Sequence, residues 1–255
     1  MILAIDIGNT NIVLGFLEGE ELIHECRLTT AADASADEYA IQFKSIFEIF
    51  KINVEDIEGS VLSSVVPPLN RTIPKAIMMI TGKKPVVVGP GVKTGLNIKI
   101  NNPAELGADM VAGAVASVAK YPCPQIVFDL GTATTASVID RNGCFLGGSI
   151  ICGVKTGLNA LSQSAAQLPQ IEIVAPPTAI CTNTIDSMRS GTVFGTAAML
   201  DGMVKRFESE LGEKATVIVT GGIGGVIAGY CESEVIVDKR LLIDGLRIIY
   251  DKNKC

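Results

Sequence analysis

The chain has 255 residues, which is enough for two domains of ordinary size. Its formal net charge is -6 and it has no lysine- or arginine-rich run, which argues against a nucleic-acid-binding surface. A single histidine with no serine elbow nearby argues against a Ser-His-Asp hydrolase, so any acid–base chemistry falls to carboxylates.

The remaining composition indicates a reduced, non-membrane protein. The seven cysteines are scattered without a C-x-x-C pair, so we expect free thiols and no zinc site. No window approaches the roughly 18 unbroken apolar residues of a membrane span. The sequence leads from Met1 directly into an apolar stretch, with no basic region or cleavage-like site. We therefore expect a cytoplasmic protein without a signal peptide, and neither a membrane nor a nucleic-acid partner.

The N-terminal segment 2–16 predicts two apolar strands joined by a tight turn. Asp6, Asn9, Thr10 and Asn11 crowd the bend. Gly8 lacks a Cβ atom, so we expect a positive φ there and backbone N–H groups that can approach a ligand closely. Such a turn suits a phosphate group.

The next part of the chain alternates strands and helices. We predict a strand at 21–30, an amphipathic helix over 35–52, a strand at 59–68, a helix to about residue 81 and a strand near 84–91. This alternation indicates an α/β domain with a mixed sheet.

An acidic residue lies in an unusual setting further along. Asn102, Pro103 and Glu105 have the spacing of a capping-box variant, which predicts a helix that starts at Pro103. Asp109 would then lie inside this helix, followed by an almost entirely apolar segment. It is either a solvated surface acid or a carboxylate with a partner or a purpose. The apolar surroundings favour the second interpretation.

The second half repeats the plan of the first. Segment 125–140 predicts another strand–turn–strand unit, with Asp129, Gly131 and Thr132 at the bend. We therefore predict two related halves, 1–118 and 119–255, that face one cleft. A strand at 144–153, a helix near 157–168 and a long helix over about 185–211 follow. Thr184 is predicted to cap that helix, either as an oxyanion-friendly corner or merely as a cap.

A glycine-rich turn near the C-terminus allows two interpretations. Strand, turn and helix at 214–230 resemble a dinucleotide fingerprint, and Asp238 ends the next strand as a ribose ligand would. The third glycine position is Ile227, however, which disfavours NAD. A turn that packs against the adenosine or sugar of a nucleotide, or a simple loop, fits better. A closing helix is predicted from Leu242.

Taken together in this order, the motifs resemble type III pantothenate kinase along nearly the whole chain, within the superfamily of acetate and sugar kinases, actin and chaperone ATPases. The match is carried by DIGNTN (6–11), SSVVPP (63–68), VVGPGVKTGLNIK (87–99), GAD (107–109), DLGTATT (129–135), NT (183–184) and TGG (220–222). The resemblance implies an α/β fold of two similar ribonuclease H-like (actin-like ATPase) domains, 1–118 and 119–255, around a central nucleotide cleft.

The resemblance also implies an activity and a site. The activity is ATP-dependent phosphorylation of pantothenate to 4'-phosphopantothenate, the first step of coenzyme A biosynthesis, by a homodimer. Because the chain is acidic, the nucleotide should arrive with Mg²⁺. The implied roles are a catalytic base at Asp109, a monovalent cation (K⁺ or NH₄⁺) at Asp129, ATP at Asp6, Ile7, Gly8, Asn9, Thr10, Asn11 and Thr132, and substrate at Gly107, Ala108, Asp109, Met110 and Thr184.

Two positions depart from the family pattern. Met110 replaces an arginine, and Ile100 replaces a common tyrosine; both missing groups would hold pantothenate. Lys93, Lys99 or a partner subunit could supply the missing cation. The alternatives left open are a non-catalytic nucleotide-binding regulator and a kinase for another small hydroxylated acceptor.

Overall fold

A computed structural model describes residues 1–254, which form two compact units. The first contains residues 1–96, 102–116 and the chain from Leu241 on; the second contains residues 97–101 and 117–240. These units are defined by packing, whereas the predicted halves 1–118 and 119–255 follow the repeat in the sequence. The boundary at 118/119 therefore stays a prediction.

The first unit is built on a five-stranded sheet with helices on both faces. The sheet has the order β3-β2-β1-β4-β5, and β1 pairs antiparallel with β2 and parallel with β4. The elements are β1 (Ile2–Ile7), β2 (Asn11–Glu18), β3 (Glu21–Thr29), α1 (Ala36–Phe50), β4 (Gly59–Ser64), α2 (Leu69–Thr81), β5 (Val86–Val87) and the C-terminal α7 (Leu241–Asn253).

The two faces of this sheet are covered by different helices. Helix α1 lies within the predicted range 35–52 and starts at a capping box, in which the Ser35 and Glu38 side chains accept each other's backbone N–H groups. Its Phe43 and Phe47 pack with α2 on alternate residues of β1 and β2. On the opposite face, glycine at 15 leaves room for Ile243 of α7, because a Cβ there would lie 2.7 Å from that side chain.

The second unit is built on a six-stranded sheet of order β11-β10-β7-β8-β9-β6. Its central core packs β7, β8 and β10 against the long helix α5. The elements are β6 (Asn97–Ile98), α3 (Ala108–Lys120), which begins in the first unit, β7 (Gln125–Leu130), β8 (Ala133–Ile139), β9 (Cys144–Cys152), α4 (Val154–Ser164), α5 (Thr184–Leu211), β10 (Thr216–Thr220), α6 (Gly224–Ala228) and β11 (Val235–Val237).

The two sheets share one topology. In the first, the order β3-β2-β1-β4-β5 places β1 between an antiparallel and a parallel neighbour; in the second, β9-β8-β7-β10-β11 does the same for β7. The prediction of two similar α/β domains is thus confirmed. Within residues 1–254, no helix has both the length and the apolarity that a membrane crossing requires.

Candidate active site

Asp6 lies at the end of β1, where the first Asp-x-Gly turn begins. Its register partners are Val13 on β2 and Ser63 on β4. The residues that follow at the bend, Asn9, Thr10 and Asn11, are exposed to solvent. The side chain of Ile7 is fully buried in the core.

The conformation of the turn corrects one expectation. Gly8 does not have a positive φ, and its N–H donates to the Asn11 carbonyl (3.0 Å) instead of facing a ligand. A Cβ here would lie 3.2 Å from the Asn11 carbonyl oxygen, a tight contact that glycine avoids. The turn is also tied from outside: the Thr30 hydroxyl donates to the Gly8 carbonyl (2.6 Å), and the Thr30 N–H to the Thr10 carbonyl (3.0 Å).

The Asp6 carboxylate has a raised pKa. Burial raises its pKa from 3.8 to about 6, a hydrogen bond from the Ser63 hydroxyl (2.7 Å) works in the opposite direction, and the negative charge of Asp109 raises the pKa further. Asp6 and Asp109 are therefore electrostatic neighbours in the first unit. Paired acids with raised pKa values are typical of functional sites.

The helix that carries Asp109 starts later than predicted. The Asn102 side chain caps only a short 3-10 turn, Pro103–Glu105, after which Leu106 is extended (ψ 125°) and breaks the helix. Helix α3 begins anew at Ala108, which places Asp109 in its first turn and not in its interior. The prediction of one helix from Pro103 is wrong, because the capping signal is satisfied by a single turn.

The surroundings of the Asp109 carboxylate are tight. Oδ1 accepts the Met110 N–H (2.7 Å) and lies over Gly107, where a Cβ would be 2.5 Å from it. Burial raises the pKa of Asp109, against the effect of its backbone hydrogen bonds. A carboxylate near a helix N-terminus and yet with a raised pKa is mainly desolvated. The interpretation as a solvated surface acid is thereby disfavoured.

The second Asp-x-Gly turn has the same construction. Asp129 is the penultimate residue of β7, and the Gly131 N–H donates to the Ala133 carbonyl (3.1 Å). Thr132 is exposed at the bend. Its carbonyl accepts the hydroxyl of Thr156 on α4 (2.8 Å), so this turn, like the first, is held by a threonine from another element.

The late glycine-rich turn packs directly against Asp129. Gly221 has a φ of +89°, and a Cβ there would lie 2.6 Å from Asp129 Oδ1 and 2.7 Å from the Leu130 backbone. Only glycine satisfies both the backbone conformation and the close approach. Asp238, considered above as a ribose ligand, instead accepts the Lys120 ammonium (2.6 Å) and the Tyr121 hydroxyl (2.8 Å) and is almost fully buried.

The N-terminus of α5 borders a cavity of about 850 Å³ within the second unit. Thr184 lines it, but the prediction that Thr184 caps the helix is wrong: the N-cap residue is Asn183, whose side chain accepts the Asp186 N–H (2.9 Å). Thr184 is therefore the first helical residue, with its hydroxyl free of the capping role. Within the described chain, the residues that line this cavity carry no formal charge: leucines and Val154 on the α4 side, threonines and Ser187 on the α5 side.

Met110 and Ile100, the two positions that depart from the family pattern, belong to different units. Met110 is half-buried in the first turn of α3, beside Asp109. Ile100 belongs to the short segment 97–101 of the second unit, and a Cβ at Gly147 would lie 4.0 Å from its side chain. Lys99 is already paired with Asp140 (3.1 Å), which weakens its candidacy as the replacement cation.

Sequence reasoning missed the residues that support the turns. Ser63, Thr30 and Thr156 donate hydrogen bonds to turn atoms, and Gly221 packs against Asp129 from the turn that follows β10. Ser63 was visible only as part of a motif without a role. Strand pairing decides these contacts, and pairing between distant segments is not evident in a single sequence.

Two α/β units that share one strand order, each with an Asp-x-Gly turn after its central strand, have the fold of sugar kinases and actin-like ATPases. A solved structure described as a 2-dehydro-3-deoxygalactonokinase from Sinorhizobium meliloti has a TM-score of 0.60 at 10% identity and covers 98% of both chains. One described as a Baf family transcriptional activator from Campylobacter jejuni has a TM-score of 0.62 at 20% identity, also over 98% of both. At these identities the likeness concerns the fold alone.

The family is defined by sequence. The model of type III pantothenate kinases matches residues 2–206. A type III pantothenate kinase of an Exiguobacterium species is 47% identical over 254 residues, which cover 100% of both chains. That of Halalkalibacterium halodurans is 43% identical over 253 residues, or 99% of this chain and 100% of the relative. The chain belongs to the type III pantothenate kinase family.

Proposed function

We propose that this chain transfers the γ-phosphoryl group of ATP to pantothenate and forms 4'-phosphopantothenate, the first step of coenzyme A biosynthesis. Family membership supports the reaction. The observation that carries it in this chain is the desolvated acid Asp109, whose charge acts on Asp6 at the first Asp-x-Gly turn. We also propose that the reaction takes place in the cytoplasm.

The nucleotide phosphates bind along the turn from Asp6 to Asn11. The exposed side chains at this bend supply hydrogen-bond donors, whereas Ile7, whose side chain is buried, contributes through its backbone. Thr132 at the second turn contacts the nucleotide with its exposed hydroxyl. The hydrogen bond of Gly8 to Asn11 supports a fixed turn that needs no reorganisation when phosphate binds.

Asp109 is the general base. Its carboxylate accepts the proton of the pantothenate hydroxyl while the alcohol oxygen bonds to the γ-phosphorus and the bond from phosphorus to the ADP oxygen breaks. Burial raises the pKa of Asp109, which makes it a better proton acceptor than a solvated aspartate. Gly107 and Ala108 are small and leave room for the substrate beside the Asp109 carboxylate.

Two cations complete the proposal. Asp129 offers a carboxylate oxygen, a ligand that hard cations prefer, and we assign it a monovalent cation, K⁺ or NH₄⁺. Mg²⁺ accompanies ATP, because an acidic chain with two neighbouring carboxylates otherwise repels a triphosphate. When bound, these ions neutralise the charge that develops on the transferred phosphoryl group.

Pantothenate is held with less charge assistance than in relatives that have an arginine after the GAD motif. Met110 contacts it through apolar surface, and Thr184 donates its hydroxyl at the uncharged cavity of α4 and α5. The same observation favours a second candidate, a kinase for another small hydroxylated acceptor without a carboxylate.

We further propose that the chain acts as a homodimer. Three isoleucines of the second unit are strongly exposed: Ile150 (75%), Ile180 (89%) and Ile185 (44%). Ile180 and Ile185 directly adjoin, in the chain, residues that line the cavity, and contiguous exposed apolar surface is typical of an interface. Light scattering after size exclusion tests this directly: a mass of twice the chain's 26.7 kDa is expected, and a monomer that is fully active contradicts it.

A coupled assay tests the reaction. The protein is supplied with ATP, Mg²⁺, K⁺ and either pantothenate or a panel of alcohols such as pantetheine, glycerol and hexoses. Turnover that is clearly best with pantothenate is expected. Faster turnover of another alcohol than of pantothenate points to the second candidate. If calorimetry shows nucleotide binding but neither the wild type nor Met110→Arg forms a phosphorylated product, the protein is a non-catalytic regulator.

A further inference from the structure

Ser63 is a buried hydroxyl that contacts a proposed ATP-binding residue and has no assigned role. It lies on β4 directly opposite Asp6 in the parallel register with β1. Its side chain has no exposed surface, and its Oγ lies 2.7 Å from Asp6 Oδ1. An ionised carboxylate can only accept hydrogen bonds, so Ser63 is the donor.

This hydrogen bond fixes one oxygen of Asp6. A carboxylate at the end of a strand can rotate about its terminal torsion, which is broad and has little intrinsic preference. The bond from Ser63 restricts that rotation, and it also favours the charged form of an acid whose burial disfavours charge. Both effects keep Asp6 ionised and oriented in the nucleotide-free protein.

A second hydroxyl acts on the same turn. Thr30 follows β3 and donates to the Gly8 carbonyl at 2.6 Å. The turn is therefore held on two sides, by Ser63 at the strand end and by Thr30 at the bend. Supporting groups of this kind determine how accurately the groups that contact a ligand are placed.

We propose that Ser63 is a positioning residue for phosphoryl transfer, whose hydroxyl holds the Asp6 carboxylate in the orientation that ATP binding requires. The inference rests on the proposed ATP site at the turn of Asp6. Ser63 itself touches neither ATP nor the acceptor, so its substitution should alter the ATP side of the reaction selectively.

The chain offers a matched control. Ser60 lies on the same strand, is 1% exposed, and its hydroxyl has no hydrogen-bond partner within residues 1–254. Ser60→Ala thus removes an equally buried hydroxyl from β4 without breaking a hydrogen bond. Ser63→Thr keeps a hydroxyl at the critical position and serves as the rescue variant.

The test compares Ser63→Ala, Ser63→Thr and Ser60→Ala in full-length protein. A hydrogen bond to a charged group is worth about 1.5–3 kcal/mol, so we expect Ser63→Ala to lower kcat/KM for ATP by about 10- to 150-fold. The KM for pantothenate should stay within about twofold, and Ser60→Ala should match the wild type, since it breaks no hydrogen bond. Ser63→Thr should recover most of the loss.

Two results overturn the inference. One is equal ATP kinetics in Ser63→Ala and Ser60→Ala. The other is a loss in Ser63→Ala that affects ATP and pantothenate equally and follows the melting temperature, since that is the behaviour of a structural residue. If the wild-type protein phosphorylates no alcohol, the proposed function fails, but the inference about Ser63 can still be tested. The test is then calorimetric binding of Mg-ATP, for which weaker binding is expected only in Ser63→Ala.

Discussion

Replacing Gly221 by alanine should damage the second turn without touching any residue that is proposed to bind substrate. Gly221 has a φ of +89°, and the added Cβ would lie 2.6 Å from Asp129 Oδ1 and 2.7 Å from backbone atoms of Leu130. The Leu130 backbone is part of β7 and cannot move without disturbing the centre of the sheet. The Asp129 carboxylate therefore has to be displaced.

Two costs add in this variant. A left-handed backbone costs a non-glycine residue about 1–2 kcal/mol. Overpacking against fixed neighbours costs about 1–3 kcal/mol more. The expected loss is about 2–5 kcal/mol, which for a chain of this length lowers the melting temperature by at least about 4 °C.

Gly222→Ala is the matched control, because a Cβ at 222 meets nothing within 4 Å and the residue has no positive φ. Both variants are measured by thermal unfolding and by the K⁺ dependence of turnover. Gly221→Ala should be less stable and need more K⁺ for half-activation, while Gly222→Ala should match the wild type. Equal stability and equal K⁺ response in the two variants would refute the reasoning about Gly221 and Asp129.

Three further predictions concern the first unit. Gly107→Ala puts a Cβ 2.5 Å from Asp109 Oδ1, so turnover should fall at least about 10-fold with ATP binding intact; unchanged initial rates contradict this. Burial raises the pKa of Asp6 to about 6 in the folded state, so its ionisation destabilises the protein above that pH. Asp6→Asn should thus raise the unfolding free energy at pH 8 by up to about 3 kcal/mol, a gain absent below about pH 4 in denaturant titrations. Met110→Arg should lower the KM for pantothenate by about 10- to 150-fold, because the arginine would bind the carboxylate of pantothenate. An unchanged KM would mean that the pantothenate carboxylate does not bind near residue 110.

The hairpins and helices were predictable because local patterns determine them. Apolar strands on either side of Asp6 and Asp129 predicted both turns, and the amphipathic spacing over 35–52 predicted α1. The repeat predicted two related halves but not the strand order of their sheets, since the parallel pairing of β1 with β4 joins segments more than fifty residues apart. The short strand β6 was missed, because two residues carry no periodic signal.

The sequence named candidate site residues, but it did not predict the local structure that holds them. The cap at Asn102 was genuine, yet it serves one 3-10 turn, so Asp109 begins a helix instead of lying within one. A positive φ was expected at Gly8 from the general behaviour of glycine, whereas the structure shows no positive φ there and only a tight approach of the Asn11 oxygen. Contacts such as Ser63 with Asp6 depend on strand register, which a single sequence does not reveal.

The central claim is that Asp109 takes the proton of the acceptor alcohol. Initial rates of pantothenate phosphorylation by Asp109→Asn, with ATP, Mg²⁺ and K⁺ saturating, test it most directly. A general base contributes about 10²- to 10⁴-fold, so we predict a kcat at least about 100-fold below wild type, with Mg-ATP binding by calorimetry preserved. A kcat close to that of the wild type would contradict the claim and return Asp109 to a structural role.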